Sequence, residues 1–141
     1  MGITDSKRRK RQVRRFYQEI WDAHDKSAMP SILHRDFTFR GSLGLVKRGH
    51  AGFGEYVDYV HGALADYGCI IETLVAEEDK VFAKMTFTGI QRSEFMGHPS
   101  TGKRVSWAGC ALFTFDGERI KDLWVLGDLK DLEAQLRQNQ S

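Results

Sequence analysis

The hydrophobic period of this chain changes once, near Gly68, and that change constrains its fold more than any single motif. Ahead of it, Val13, Phe16, Tyr17, Ile20, Trp21 and His24 follow the i, i+3, i+4, i+7 spacing of one helical stripe. Thr4, Asp5 and Ser6 offer N-caps for that helix. A short second helix is expected from Pro30 to His34, with Pro30 in its first turn. Asp36 to Arg40 alternates as a short strand, and Gly41 and Gly44 permit a turn into Leu45 and Val46. A third helix, Gly49 to Asp66, carries Phe53, Val57, Val60 and Leu64 on one face.

Beyond Gly68 the spacing becomes that of strands: Cys69 to Ala76, Lys80 to Ile90, Arg104 to Phe115 and Arg119 to Leu126. Glu77-Glu78-Asp79 and Asp116-Gly117-Glu118 are the turns between neighbours, and Asp128 to Gln138 is a closing helix. Helices first, then a run of antiparallel strands, then a helix, give an α+β fold. A long twisted sheet curling around the amphipathic first helix makes a cone with an apolar interior, open where the strands end. Pockets of that kind are largely apolar, with a few convergent polar groups. One domain is expected over residues 1–141.

No apolar run reaches the ~20 residues of a membrane helix, and no secretory signal is visible, so a cytoplasmic protein without membrane attachment is expected. Cys69 and Cys110 stand apart, without metal-ligand spacing, which fits a reducing compartment. The formal charge of +2 hides an asymmetry. Lys7, Arg8, Arg9, Lys10, Arg11, Arg14 and Arg15 face only Asp5 within the first fifteen residues. Residues 1–11 are therefore either a disordered basic arm or the solvated start of the first helix. No aromatic base-stacking motif accompanies them, so no nucleic-acid partner is expected.

Chemistry centres on Asp128, an acid where the last strand runs out. At the rim of an apolar cone its carboxylate could be held partly dry, its pKa lifted toward that of a general base. It equally suits the N-cap of the last helix. Trp124 shares strand parity with it, and so does Asp122, a charge the pocket wall should not hold; either the strand bulges or Asp122 pairs with Arg40. Arg40, if inward, could grip a substrate carboxylate or an enolate oxygen. Tyr17 and Tyr59 are the hydroxyls expected to reach the cavity, and His34 is a candidate pocket acid. His50 and His61 lie about 16 Å apart along one helix, too far to share an ion, and no metal or other cofactor is expected.

Taken in order, several pieces resemble the SnoaL-like polyketide cyclase family, its predicted ester cyclase branch, within the nuclear transport factor 2-like (cystatin-like roll) superfamily. They are Phe16-Tyr17-Gln18-Glu19-Ile20-Trp21, the helix entry from Gly49 to Tyr56, Glu77-Glu78-Asp79-Lys80-Val81, Gly97-His98-Pro99-Ser100-Thr101-Gly102-Lys103, and Asp116-Gly117-Glu118-Arg119-Ile120 through Trp124 to Asp128. The resemblance implies a cone-shaped sheet wrapped around N-terminal helices and a homodimer. It implies aldol-type acid–base chemistry on a small apolar carbonyl compound without metal or nucleotide, with Asp128 as the catalytic carboxylate. The chain departs from the family at Arg40, where many relatives carry histidine. It departs again on the strand that offers only Ser106, Trp107 and Cys110, of which Trp107 is the expected pocket contact. A non-catalytic binding module, or a dimeric interaction domain, is the alternative on the same fold.

Overall fold

The computed structural model describes residues 3–141. Helix α1, Ile3–Arg15, carries the basic run, and residues 3–11 belong to it. It continues into a π-helical stretch, Phe16–Asp22, where the Ala23 amide donates to the Gln18 carbonyl five residues back (3.0 Å). The wider turn rotates Phe16, Tyr17, Ile20 and Trp21 together into the interior. Insertions of this type gather at functional sites. A 3₁₀ turn at Lys26–Ala28 leads into α2, Met29–Ile32, and then β1, Leu33–Arg40.

After β2, Val46–Arg48, helix α3 covers Gly49–Ala63. It ends earlier than its periodicity suggests, because β3 begins at Leu64 and runs to Glu77 with register shifts after Ala65 and after Ile71. Strands β4 (Lys80–Gln91), β5 (Arg104–Asp116) and β6 (Arg119–Gly127) follow, and α4, Leu129–Gln138, closes the chain. The sheet order is β2-β1-β6-β5-β4-β3. All neighbours are antiparallel except β1 and β6, which run parallel. The sheet is curved and does not close. No helix among the described residues is long and apolar enough to cross a membrane.

The two faces of the sheet differ in kind. Inner rows run through Val81, Phe113, Leu123 and Phe39, and through Ala83, Ala111 and Val125, all buried. They pack on Phe16, whose ring meets Phe53 (5.7 Å) and Phe113 (5.5 Å) at stacked and edge-on angles worth about 0.5–1.5 kcal/mol each beyond burial. An outer row crosses the whole sheet in register: Val75, Phe82, Leu112, Trp124, Arg40, Val46.

Strand β6 reaches this arrangement through a bulge. Phe115 pairs with Ile120 but Thr114 pairs with Asp122, so Lys121 is the extra residue. A one-residue insertion inverts facing for everything after it. Leu123 and Val125 therefore turn inward, while Asp122, Trp124 and Leu126 turn outward.

Candidate functional site

The cone interior is lined by rings. Phe16, Tyr17 and Trp21 come from the π-helical stretch, Tyr56 from α3, Tyr67 and Cys69 from β3, and Phe87 from β4. Phe39, Leu123 and Val125 form the opposite wall, and Ser42 sits at the rim. Two glycines let the aromatic rings close over the sheet. A Cβ at Gly109 would stand 2.4 Å from the Phe87 ring, and one at Gly127 would stand 3.1 Å from Trp107 Nε1. The rings fill the cone, leaving a cavity of about 20 Å³, enough for roughly one water molecule. Side chains must shift for a larger ligand to enter.

Polar groups inside are phenols, a thiol and an indole. The Tyr17 hydroxyl and Trp107 Nε1 are buried without a hydrogen-bond partner among the described residues. An unpaired buried donor costs about 1–3 kcal/mol, which a ligand oxygen could recover. Burial pushes the Tyr17 hydroxyl well above the usual phenol range, so it stays protonated and acts as a donor. Tyr56 hydrogen-bonds Ser42 and the Leu43 backbone, yet burial still pushes it up to about 12. Burial likewise raises Tyr67, which hydrogen-bonds Cys69, and raises Cys69, with the charge of Asp22 adding to the effect.

Asp128 lies one residue past Gly127 at the rim, held there by its amide, which donates to the Ala108 carbonyl (2.8 Å). Its side chain is exposed and accepts the Asp131 amide (3.1 Å), the N-cap bond of α4. In this geometry the carboxylate points at the helix end and not into the cone. The carboxylate with a shifted pKa beside the cone is Asp22, at the end of the π-helical stretch. Partial burial raises it, while the Cys69 amide it accepts (3.1 Å) opposes the shift.

Of the six binding candidates, Tyr17 and Trp107 belong to the interior, with Trp107 packed on Phe87 (5.6 Å) and Tyr67 (6.4 Å). The bulge at Lys121 carries Trp124 to the outer face, 41% exposed. Arg40 lies there beside it, its guanidinium over the indole (5.7 Å) and donating to the Val125 carbonyl (2.6 Å). Asp122 accepts the Thr38 hydroxyl, so the Arg40 pairing considered for it does not form. His34 sits at the far end of β1, where Nδ1 accepts the Asp36 amide (3.0 Å) and Nε2 lies 3.3 Å from Asp116. Tyr59 is on the solvent side of α3, 47% exposed. Among the described residues no group of three or more histidines, cysteines or acids gathers to hold a metal ion.

Sequence reasoning missed Tyr67, Cys69, Ser42, Phe87 and Asp22 as cavity or near-cavity groups. The β3 bulge after Ala65 hides Tyr67 from a period count, and Ser42 lies in a turn. Phe87 was legible as an inward strand position, since Val81, Ala83 and Met85 alternate with it.

Comparison with known proteins agrees with this architecture. The model of the SnoaL-like polyketide cyclase family matches residues 11–136. A candidate polyketide cyclase from Acidithiobacillus ferrooxidans is 27% identical and superposes with a TM-score of 0.84, with 99% of each chain covered. TsrD from Streptomyces laurentii (24% identical, TM-score 0.81, 96% and 97% covered) shares the fold. So does a candidate SnoaL-like polyketide cyclase from Jannaschia sp. CCS1 (18%, TM-score 0.86, 96% of each chain). No curated protein matches the chain. With the family model spanning nearly all of an aromatic-lined α+β cone, the chain belongs to the SnoaL-like polyketide cyclase family.

Proposed function

We propose that the protein performs acid–base, aldol-type chemistry on a small apolar carbonyl compound, without a cofactor. The observation that carries this reading is the pair of orphaned donors, Tyr17 Oη and Trp107 Nε1, buried in an aromatic cone. A flat ring system would lie against Phe16, Phe87 and Trp21, and its carbonyl oxygen would accept from Tyr17. Donors fixed in a dry site stabilise the oxyanion of an enolate more than they stabilise the ketone, which is what lowers a barrier. Asp128, at the rim next to Gly127 and Trp107, is the proposed base. To act it must release the Asp131 amide and turn toward the cone, so ligand entry and base delivery are one rearrangement. The same face of the sheet that excludes the ligand carries the proposed homodimer contact, the apolar outer row through Phe82 and Trp124.

The exposed capping bond of Asp128 favours a second reading, in which the cone binds the same class of ligand and turns nothing over. Turnover of aromatic β-keto esters by the wild-type chain and by Asp128→Asn separates the two. The enzymatic reading expects a loss of about 10²–10⁴ in rate with the fold intact, since asparagine still caps. Binding of the esters with no wild-type product would leave the binding module.

A further inference from the structure

A groove of about 520 Å³ lies at the other end of the molecule from the rim. It lies between α1, the α2 turn and the β5–β6 hairpin, and none of its lining residues lines the cone. Strand β6 runs from one to the other, Arg119 in the groove and Gly127 at the rim, about 26 Å of extended chain. Five arginines (8, 9, 11, 15 and 119) line it against two carboxylates, Asp5 and Glu118.

The pairing within the groove is uneven. Arg8 is satisfied by Asp5 and by Glu118 (3.5 Å), and Arg15 by Glu19 (2.8 Å). Three guanidiniums keep their charge. Among the described residues Arg119 donates only to the Pro30 carbonyl (2.9 Å). Arg9 donates to the Glu78 carbonyl and rests over the Phe115 ring (5.8 Å). Arg11 has no hydrogen bond or ion pair among the described residues. Neutral carbonyls fix the direction of two of these cations without cancelling them. Arg15 and Gln12 further brace the wall, both bonding Ser31 (3.0 and 3.1 Å). Unneutralised guanidiniums on one concavity, two of them fixed in direction, are a donor set that matches phosphate oxygens, two bonds per fork.

We propose that this groove is a binding site for a small molecule bearing a diphosphate group, separate from the cone and independent of its chemistry. The volume falls within the ≈ 300–1,000 Å³ of small-ligand sites, larger than one phosphate needs. Three uncompensated cations match the charge of a diphosphate better than that of a monocarboxylate. Because the ligand occupies only the folded groove, it also stabilises the fold.

Calorimetric titration of the full chain with inorganic pyrophosphate at about 0.15 M ionic strength, where charges outside the groove are screened, tests this. Saturable one-to-one binding is expected, weakened about ten-fold or more by Arg11→Ala, since one charge-assisted bond is worth about 1.5–3 kcal/mol. Arg11 makes no hydrogen bond or ion pair among the described residues, so that variant should keep its fold, which its melting curve checks. Lys10→Ala and Arg14→Ala, on the same helix but outside the groove, should change affinity less than about two-fold. Titration with ADP separates the sources: tighter binding than pyrophosphate assigns a nucleotide, and equal binding assigns the phosphates alone. Absence of saturable binding overturns the proposal. Equal losses from Lys10→Ala and Arg11→Ala also overturn it, because the helix would then act as a diffuse charge, as it would for a nucleic acid.

Discussion

The two faces of the sheet are built from the same strands, yet one is sealed around rings and the other displays them. On the inner face, Phe113, Leu123 and Phe39 are buried against Phe16 and Phe53. On the outer face Phe82, Trp124 and Leu126, each next in sequence to a buried inner residue, are 41–48% exposed. The difference teaches that hydrophobicity alone does not assign a residue to the cone. Facing is set by the strand's phase, and in β6 that phase is reset by Lys121. An outer row this apolar, crossing six strands, has the character of a surface that a partner covers, which is why the proposed homodimer is placed there.

The contrast breaks most visibly if one residue from each face is removed. Phe113→Ala leaves a void between Phe16 and Tyr17 and should cost about 3–5 kcal/mol in urea unfolding. Trp124→Glu, on the outer row, should change the monomer's stability by no more than about 0.5 kcal/mol. It should instead shift the molecule toward monomer in sedimentation, as a buried charge at a dimer interface must. Equal destabilisation by the two would mean that the faces do not differ in burial. An unchanged sedimentation profile for a dimeric wild type would move the interface elsewhere.

How far the sequence revealed this follows from where the period is regular. Val13, Phe16, Tyr17, Ile20 and Trp21 kept their spacing through the π-helical stretch, so the inward stripe of the first helix was readable even though its hydrogen bonding was not. The alternation of Val81, Ala83, Met85 and Phe87 gave β4 its inner face without ambiguity. The same count, applied to β6 without a bulge, put Trp124 and Asp128 on one side and made both look like pocket residues. Asp122 was the visible warning, an ionised group on the side assigned to the cavity. Tyr67 and Ser42 had no comparable signal, because one follows a register shift and the other lies in a turn.

A subtler test separates inner residues that pack from those that wait for a ligand. Tyr17→Phe removes the orphaned hydroxyl and little else. Without ligand it should leave stability unchanged or raise it by about 1 kcal/mol, because no bond is lost and a desolvated donor is relieved. Affinity for an aromatic ketone, followed by quenching of tryptophan fluorescence, should fall by about ten-fold. A destabilised variant would instead point to a water-bridged structural role. An unchanged affinity would take Tyr17 out of the binding site.

The smallest effect compares two carboxylates at the β3 edge, and its value lies in opposite signs. Burial raises Asp22, so its folded pKa stands above its unfolded value near 3.8 and the folded state holds the proton more tightly. Its ionised form therefore opposes folding at neutral pH, and stability is regained as pH falls through the folded pKa toward 3.8. Glu72, on the outer side of the β3 bulge, is lowered from 4.5 by the Thr86 hydroxyl and by Lys84 (3.2 Å). Its contribution is present above 4.5 and is lost as pH falls through its folded pKa. Denaturant midpoints measured from neutral pH down to about 3.5 should then diverge in opposite directions. Asp22→Asn should start equal to or above wild type and lose ground on acidification, whereas Glu72→Gln should start below wild type and regain it. If both variants converge on wild type from below, Asp22 is an ordinary paired acid. The edge of the cone beside Tyr17 and Cys69 would then be as wet as the outer face.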